Sequence, residues 1–85
     1  MNNKEQIREE LKKYDGKKLD VIIHNPKFGT VVKRNMDCKA GVIYFSLRTK
    51  ETYMPIIYGD IKRINQLDND VIYLSGETEI ELIEQ

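Results

Sequence analysis

The sequence predicts a mainly β domain: an N-terminal α-helix followed by a small barrel or rolled antiparallel sheet with an extra C-terminal hairpin. Three observations carry that expectation. After Gly16 the hydrophobic period changes from about 3.6 to about 2. From there, short β-branched and aromatic runs alternate with turn signals down to the C-terminus. Finally, 85 residues make one domain, 1–85. A chain this short buries only about 60% of the surface it exposes when unfolded. Rolling one sheet closed is an economical answer, because it also hides strand edges.

The helix is expected over residues 4–14. Asn3 and Gln6 have capping-box spacing, and Ile7, Leu11 and Tyr14 fall on one stripe. Glu9 and Lys13 form an i,i+4 pair, and Gly16 supplies the stop. A helix this short is marginal alone, so it must dock on the sheet.

The β region is expected over residues 18–83. Leu19, Val21 and Ile23 alternate with Lys18, Asp20, Ile22 and His24 until Asn25-Pro26 breaks the strand. Thr30 to Met36 reads as a second strand and residues 37–41 as a turn. Val42 to Thr49 follows, with Ile43, Phe45 and Leu47 on one face and Tyr44, Ser46 and Arg48 on the other. Residues 49–52 turn the chain into a strand from Tyr53 to Tyr58, and Gly59-Asp60 is a tight connection. Ile61 and Ile64 begin a short strand or helical turn, and residues 68–70 form a polar turn. The last hairpin joins Val71–Leu74 to Thr78–Ile83 around Ser75-Gly76, with Ile80 and Leu82 inward.

The composition narrows the function classes. A third of the residues are charged, yet apolar β-branched residues are plentiful, so a folded chain is expected. No apolar run approaches the roughly 18 residues that span a bilayer, so no membrane role is expected. MNNKEQIREELKK has no apolar core of a secretory signal, and one cysteine, Cys38, allows no internal disulfide. A cytoplasmic setting is expected. The net charge of zero conceals a basic first half, +6 over residues 1–50, and an acidic remainder, −6 over residues 51–85. Such asymmetry marks either a nucleic-acid contact or pairing of the two halves, within the barrel or between subunits.

No catalytic or metal-binding set stands out, and no cofactor is expected. His24 has no His or Cys partner at ligand spacing and reads as a strand-end side chain bonding the turn. Cys38 reads as a free thiol in a polar turn, its acidity raised slightly by Lys39. Asp68 and Asp70 read as solvated turn residues, since no EF-hand spacing follows them. The glycines have neither Walker nor dinucleotide spacing.

The binding candidates are Lys27, Phe28, Lys33, Arg34, Lys39 and Tyr44. The four cations flank Phe28 and can form one basic rim for single-stranded nucleic acid, cations for phosphate and rings for bases. Tyr53, Tyr58 and Tyr73 add to that platform if they lie outside. Aromatics among charges are equally the composition of a protein interface. A protein partner or self-association through an open strand edge is therefore expected first, and nucleic acid second.

The order helix, GKKLDVII, GTVVKRN, GVIYFSL, YMPIIYGDIKRI resembles small bacterial Sm-like and SH3-like barrels over roughly residues 4–66. The resemblance implies a small barrel, and the absence of a catalytic set beside a compact β pattern leads to the expectation of a non-enzymatic adaptor or regulator of bacterial or phage type. RNA-binding Sm-like proteins share an Asp followed by an Asn near the second turn; this chain has Asn35-Met36-Asp37. Their RNA-contacting residues therefore do not carry over.

Overall fold

The computed structural model describes residues 3–85. Helix α1 (Lys4–Lys12) is followed by seven strands. These are β1 (Lys18–Asn25), β2 (Gly29–Ala40), β3 (Tyr44–Arg48), β4 (Tyr53–Ile57), β5 (Ile61–Gln66), β6 (Asp70–Leu74) and β7 (Glu79–Glu84). Single 3-10 turns lie at Tyr58–Asp60 and Ser75–Glu77. All pairings are antiparallel, in the order β4-β3-β2-β1-β7-β6-β5. The sheet curls into a half-barrel, the mainly β fold that the alternating runs predict.

The helix is capped by Asn3, whose side chain accepts the Glu5 N–H at 2.8 Å. It ends at Lys12, two residues short of the expected end, and Gly16 takes the chain out at φ +78°. Ile7, Leu11 and Tyr14 are buried as their stripe predicts. Each fully buried aliphatic contributes about 1.5–3 kcal/mol, which a helix of this length needs in order to persist. Lys13 pairs with Glu10 rather than Glu9.

The curl originates in β2. Its first part pairs with β1 and its last part, Asp37–Ala40, with β3. Between them Arg34 and Asn35 form a bulge opposite Asp20, where the register slips between Leu19 and Val21. Asn35 adopts φ +58°, a left-handed conformation that Asn tolerates better than most residues. Asp20 Oδ1 fixes it by accepting the Asn35 N–H at 3.1 Å.

Two expected boundaries are corrected here. Residues 37–40 are strand rather than turn, because Met36 and Cys38 both point into the core and prolong the alternation. The turn falls at residues 41–43 instead, which leaves Val42 outside the strand and Ile43 63% exposed rather than on the Phe45–Leu47 face. The core gathers Leu19, Val21, Phe45, Leu47, Tyr58, Ile72, Ile80 and Leu82 beneath the helical stripe. Strand β7 pairs with β1 on one side and β6 on the other. The C-terminal hairpin is thus integral to the sheet, and Lys17–Glu84 and Lys13–Asp70 tie the basic and acidic halves together at 3.0 Å each.

Candidate functional site

The six binding candidates fall in three places. Lys27 and Phe28 sit at the tip of the β1–β2 hairpin, with Phe28 83% exposed. Asn25 builds this tip: it is buried, donates to Gly76 O at 3.1 Å and Thr78 Oγ1 at 2.8 Å, and accepts the Lys27 N–H at 2.8 Å. His24 Nδ1 meets Thr30 Oγ1 at 2.8 Å, a cross-strand contact with its β2 partner rather than with the turn itself. Because Phe28 packs against little, Phe28→Ala should change stability by no more than about 0.5 kcal/mol in urea unfolding. A larger loss would show the ring is structural.

Lys33 is half-buried in mid-β2, opposite Val21 and so on the core-facing side of the sheet. Arg34 leaves the bulge and lies 3.7 Å from Asp20. An exposed pair at that distance adds little stability. Lys39, at the far end of β2, does not join Lys27 and Phe28 in one rim.

Lys39 and Tyr44 do come together, on the outer face of β2–β3–β4. Phe45 and Leu47 face the core, so Tyr44, Ser46 and Arg48 face out, as the alternation predicts. Directly opposed residues share a face. The register therefore aligns Asp37, Arg48 and Tyr53 in one row and Lys39, Ser46 and Pro55 in the next, with Tyr44 and Ile57 in a third. Ser46 is buried at the floor, while Tyr44, Tyr53 and Ile57 are 43%, 57% and 47% exposed. The Tyr53 phenol is held above its usual pKa, first by hydrogen bonding with Tyr44. Tyr58 is buried beside Phe45 and Tyr73 is half-buried under the Arg63 guanidinium, so neither joins this platform.

Two recesses share the Tyr44 and Tyr53 rings. A groove of about 630 Å³ runs between β4 and the β6–β7 connection, lined by Tyr44, Tyr53, Pro55, Ile57, Asp60 and Leu74 among others. A smaller pocket of about 240 Å³ lies over Ser46, between Lys39 and Arg48. Among the described residues neither cation is in an ion pair. Asp37, across from Arg48, is taken by Lys18 at 2.9 Å.

The open edges have a definite character. The Tyr58 N–H donates to Ile43 O across β3–β4 at 3.1 Å. By strand alternation Met54 and Ile56 also face β3, and Tyr53, Pro55 and Ile57 turn their backbone outward. Pro55 removes one N–H from that edge. At the other edge the β5 register slips between Ile61 and Arg63, so the intervening Lys62 is bulged. Proline, bulges and lysine are the usual devices against edge-to-edge pairing.

Two sequence readings are corrected. Cys38 is buried, not in a polar turn; burial, then the Asp15 charge, pushes its thiol up to about 11 rather than down. Asp70 is not solvated: it opens β6 at 3% exposure and accepts from Tyr14 Oη at 2.8 Å, with Lys13 Nζ at 3.0 Å. Burial and then the Glu10 carboxyl raise the Asp70 pKa, against the opposing bonds from Tyr14 and Lys13. The cluster fastens α1 to the β5–β6 hairpin.

Among the described residues no helix is long and apolar enough to cross a membrane, and no three His, Cys, Asp or Glu side chains form a metal-holding group. No family model matches the chain, and no curated protein or solved structure matches it significantly.

Proposed function

We propose that this chain is a small non-enzymatic binding module, an adaptor or regulator, that holds a segment of a protein partner in the groove walled by Tyr44 and Tyr53. One observation carries the reading: two exposed tyrosines, Pro55 and Ile57 line a concave, largely apolar groove at the open β4 edge, whose lining continues into Ile56 and Leu74 at the margin of the core. Tyrosines in such positions lose little side-chain entropy on binding and anchor interfaces out of proportion to their number. The blunted edges weigh against self-association by strand addition and favour recognition by side chains. A bacterial or phage Sm-like or SH3-like adaptor in a reducing cytoplasm is the fuller form of the proposal. The buried free thiol of Cys38 is at home there.

The second reading is single-stranded nucleic acid, favoured by Lys39 and Arg48 beside the same rings. Asp60 in the groove opposes it, because a carboxylate repels a passing phosphate backbone. Affinity capture from the source cell with wild type, Tyr53→Ala and Phe28→Ala separates the surfaces. A protein retained by wild type and Phe28→Ala should be depleted about tenfold with Tyr53→Ala. Equal retention by Tyr53→Ala overturns the groove assignment. Micromolar, steeply salt-dependent binding of single-stranded RNA would move the function to nucleic acid.

A further inference from the structure

We infer that the pocket over Ser46 receives an anionic oxygen group, phosphoryl or carboxylate, carried on a side chain of the partner segment that occupies the adjoining groove. The inference rests on the groove reading and adds the chemistry of the ligand.

The register makes the pocket. Lys39 and Ser46 oppose each other on β2 and β3, and Arg48 follows two residues along β3 on the same face. Two cations thus flank one hydroxyl. Ser46 is 6% exposed and forms the floor, while Tyr44 and Tyr53 form the walls. Every polar side chain in the lining carries a donor: an ammonium, a guanidinium and three hydroxyls. No carboxylate lines it.

Among the described residues five of the fourteen cations are ion-paired and nine are not; what sets Lys39 and Arg48 apart is that they line one pocket together. Arg8, Lys13, Lys17, Lys18 and Arg34 each have a carboxylate within 4.0 Å. Among the described residues Lys39 and Arg48 have none, although Asp37 stands opposite Arg48; its carboxylate is bonded to Lys18 instead. Two cations held side by side repel each other. An anion between them relieves that repulsion and takes up the guanidinium's paired donors.

Size and surroundings select the carrier. About 240 Å³ is below the range of pockets that enclose a whole small ligand, but it admits the head group of a side chain. The pocket opens beside the apolar groove, whose Asp60 repels further negative charge. A nucleic-acid strand carries a phosphate at every nucleotide and would need a run of cations along its path. A peptide with one anionic side chain and apolar neighbours fits both recesses.

The test is an NMR titration of the isotopically labelled full chain with N-acetyl-phosphoserine amide, N-acetylglutamate amide and oligouridylate. Either amino-acid probe should shift the backbone amides of residues 39, 44, 46, 48 and 53 saturably, and the tighter one identifies the group. Lys39→Gln and Arg48→Gln should each weaken that binding about tenfold while leaving the remaining spectrum folded. Unsaturable shifts spread over all exposed lysines overturn the inference, as does binding unchanged in both variants. Oligouridylate binding far tighter than either probe overturns it in favour of nucleic acid. Tyr53-dependent protein capture alongside a failed titration would leave the groove reading standing without the anion.

Discussion

Asp70→Ala should lower the stability of this domain by about 2–4 kcal/mol at neutral pH, a large share of what so short a chain holds. Its carboxylate is almost fully buried and accepts the Tyr14 hydroxyl at 2.8 Å. Truncation leaves that hydroxyl buried without its acceptor and detaches the C-terminal end of α1 from β6. The lost ion pair with Lys13 adds little, because the Lys13 side chain is 49% exposed and screened by water. Asp70→Asn keeps an acceptor for Tyr14 and should cost only about 1 kcal/mol. Urea unfolding of both variants checks the ranking. If alanine and asparagine cost the same, the charge rather than the hydrogen bond holds the helix.

The same residue shows where sequence reading fails. Asp68-Asn69-Asp70 has the composition of a solvated turn, and nothing local distinguishes its third residue from its first. Asp70 is buried where Tyr14, in the turn that follows α1 and 56 residues earlier, brings its hydroxyl to it. That contact is non-local and leaves no periodicity. Cys38 was misplaced for a related reason: Asp37, Lys39 and Gly41 dominate the composition of the segment, while the alternation of Met36 with Cys38 continues through it. The strands themselves were legible, because each buries one face and so must alternate. Of the candidate site, the outward set Tyr44, Ser46 and Arg48 was legible in YFSLR. Tyr53 and Pro55 follow once the turn at residues 49–52 fixes Arg48 opposite Tyr53. The two recesses were not legible, because the groove depends on the β6–β7 connection lying across from β4. The four cations do not share one rim, because β2 carries Lys33 and Lys39 away from the Phe28 tip.

Stability should also fall steeply between pH 9 and pH 11, and Cys38 should account for the first part of the fall. The thiol lies on the core face of β2, opposite Leu47 and 3% exposed. Burial, and secondarily Asp15, pushes its pKa from 9.0 to about 11. The folded chain therefore keeps a proton that the unfolded chain releases above pH 9. Where the folded state binds more protons, stability falls as pH rises. The contribution is whole below pH 9 and is lost as pH climbs through about 11. A shift of that size corresponds to at most about 2.7 kcal/mol, or roughly 10–20 °C in melting temperature. Tyr14, raised by burial and then by its bond to Asp70, acts in the same direction above its ordinary value of 10.0. So does Lys13, where bonds from Glu10 and Asp70 outweigh burial and raise it above 10.5. Cys38→Ala should begin about 1 kcal/mol less stable, from the small cavity it leaves. It should then lose little between pH 9 and pH 10, where wild type is already falling. Thermal unfolding in reductant at pH 8, 9, 10 and 11 measures both curves. Parallel curves would remove Cys38 from the alkaline transition and leave it to Tyr14, Lys13 and the buried Tyr58, whose hydroxyl pKa burial also raises.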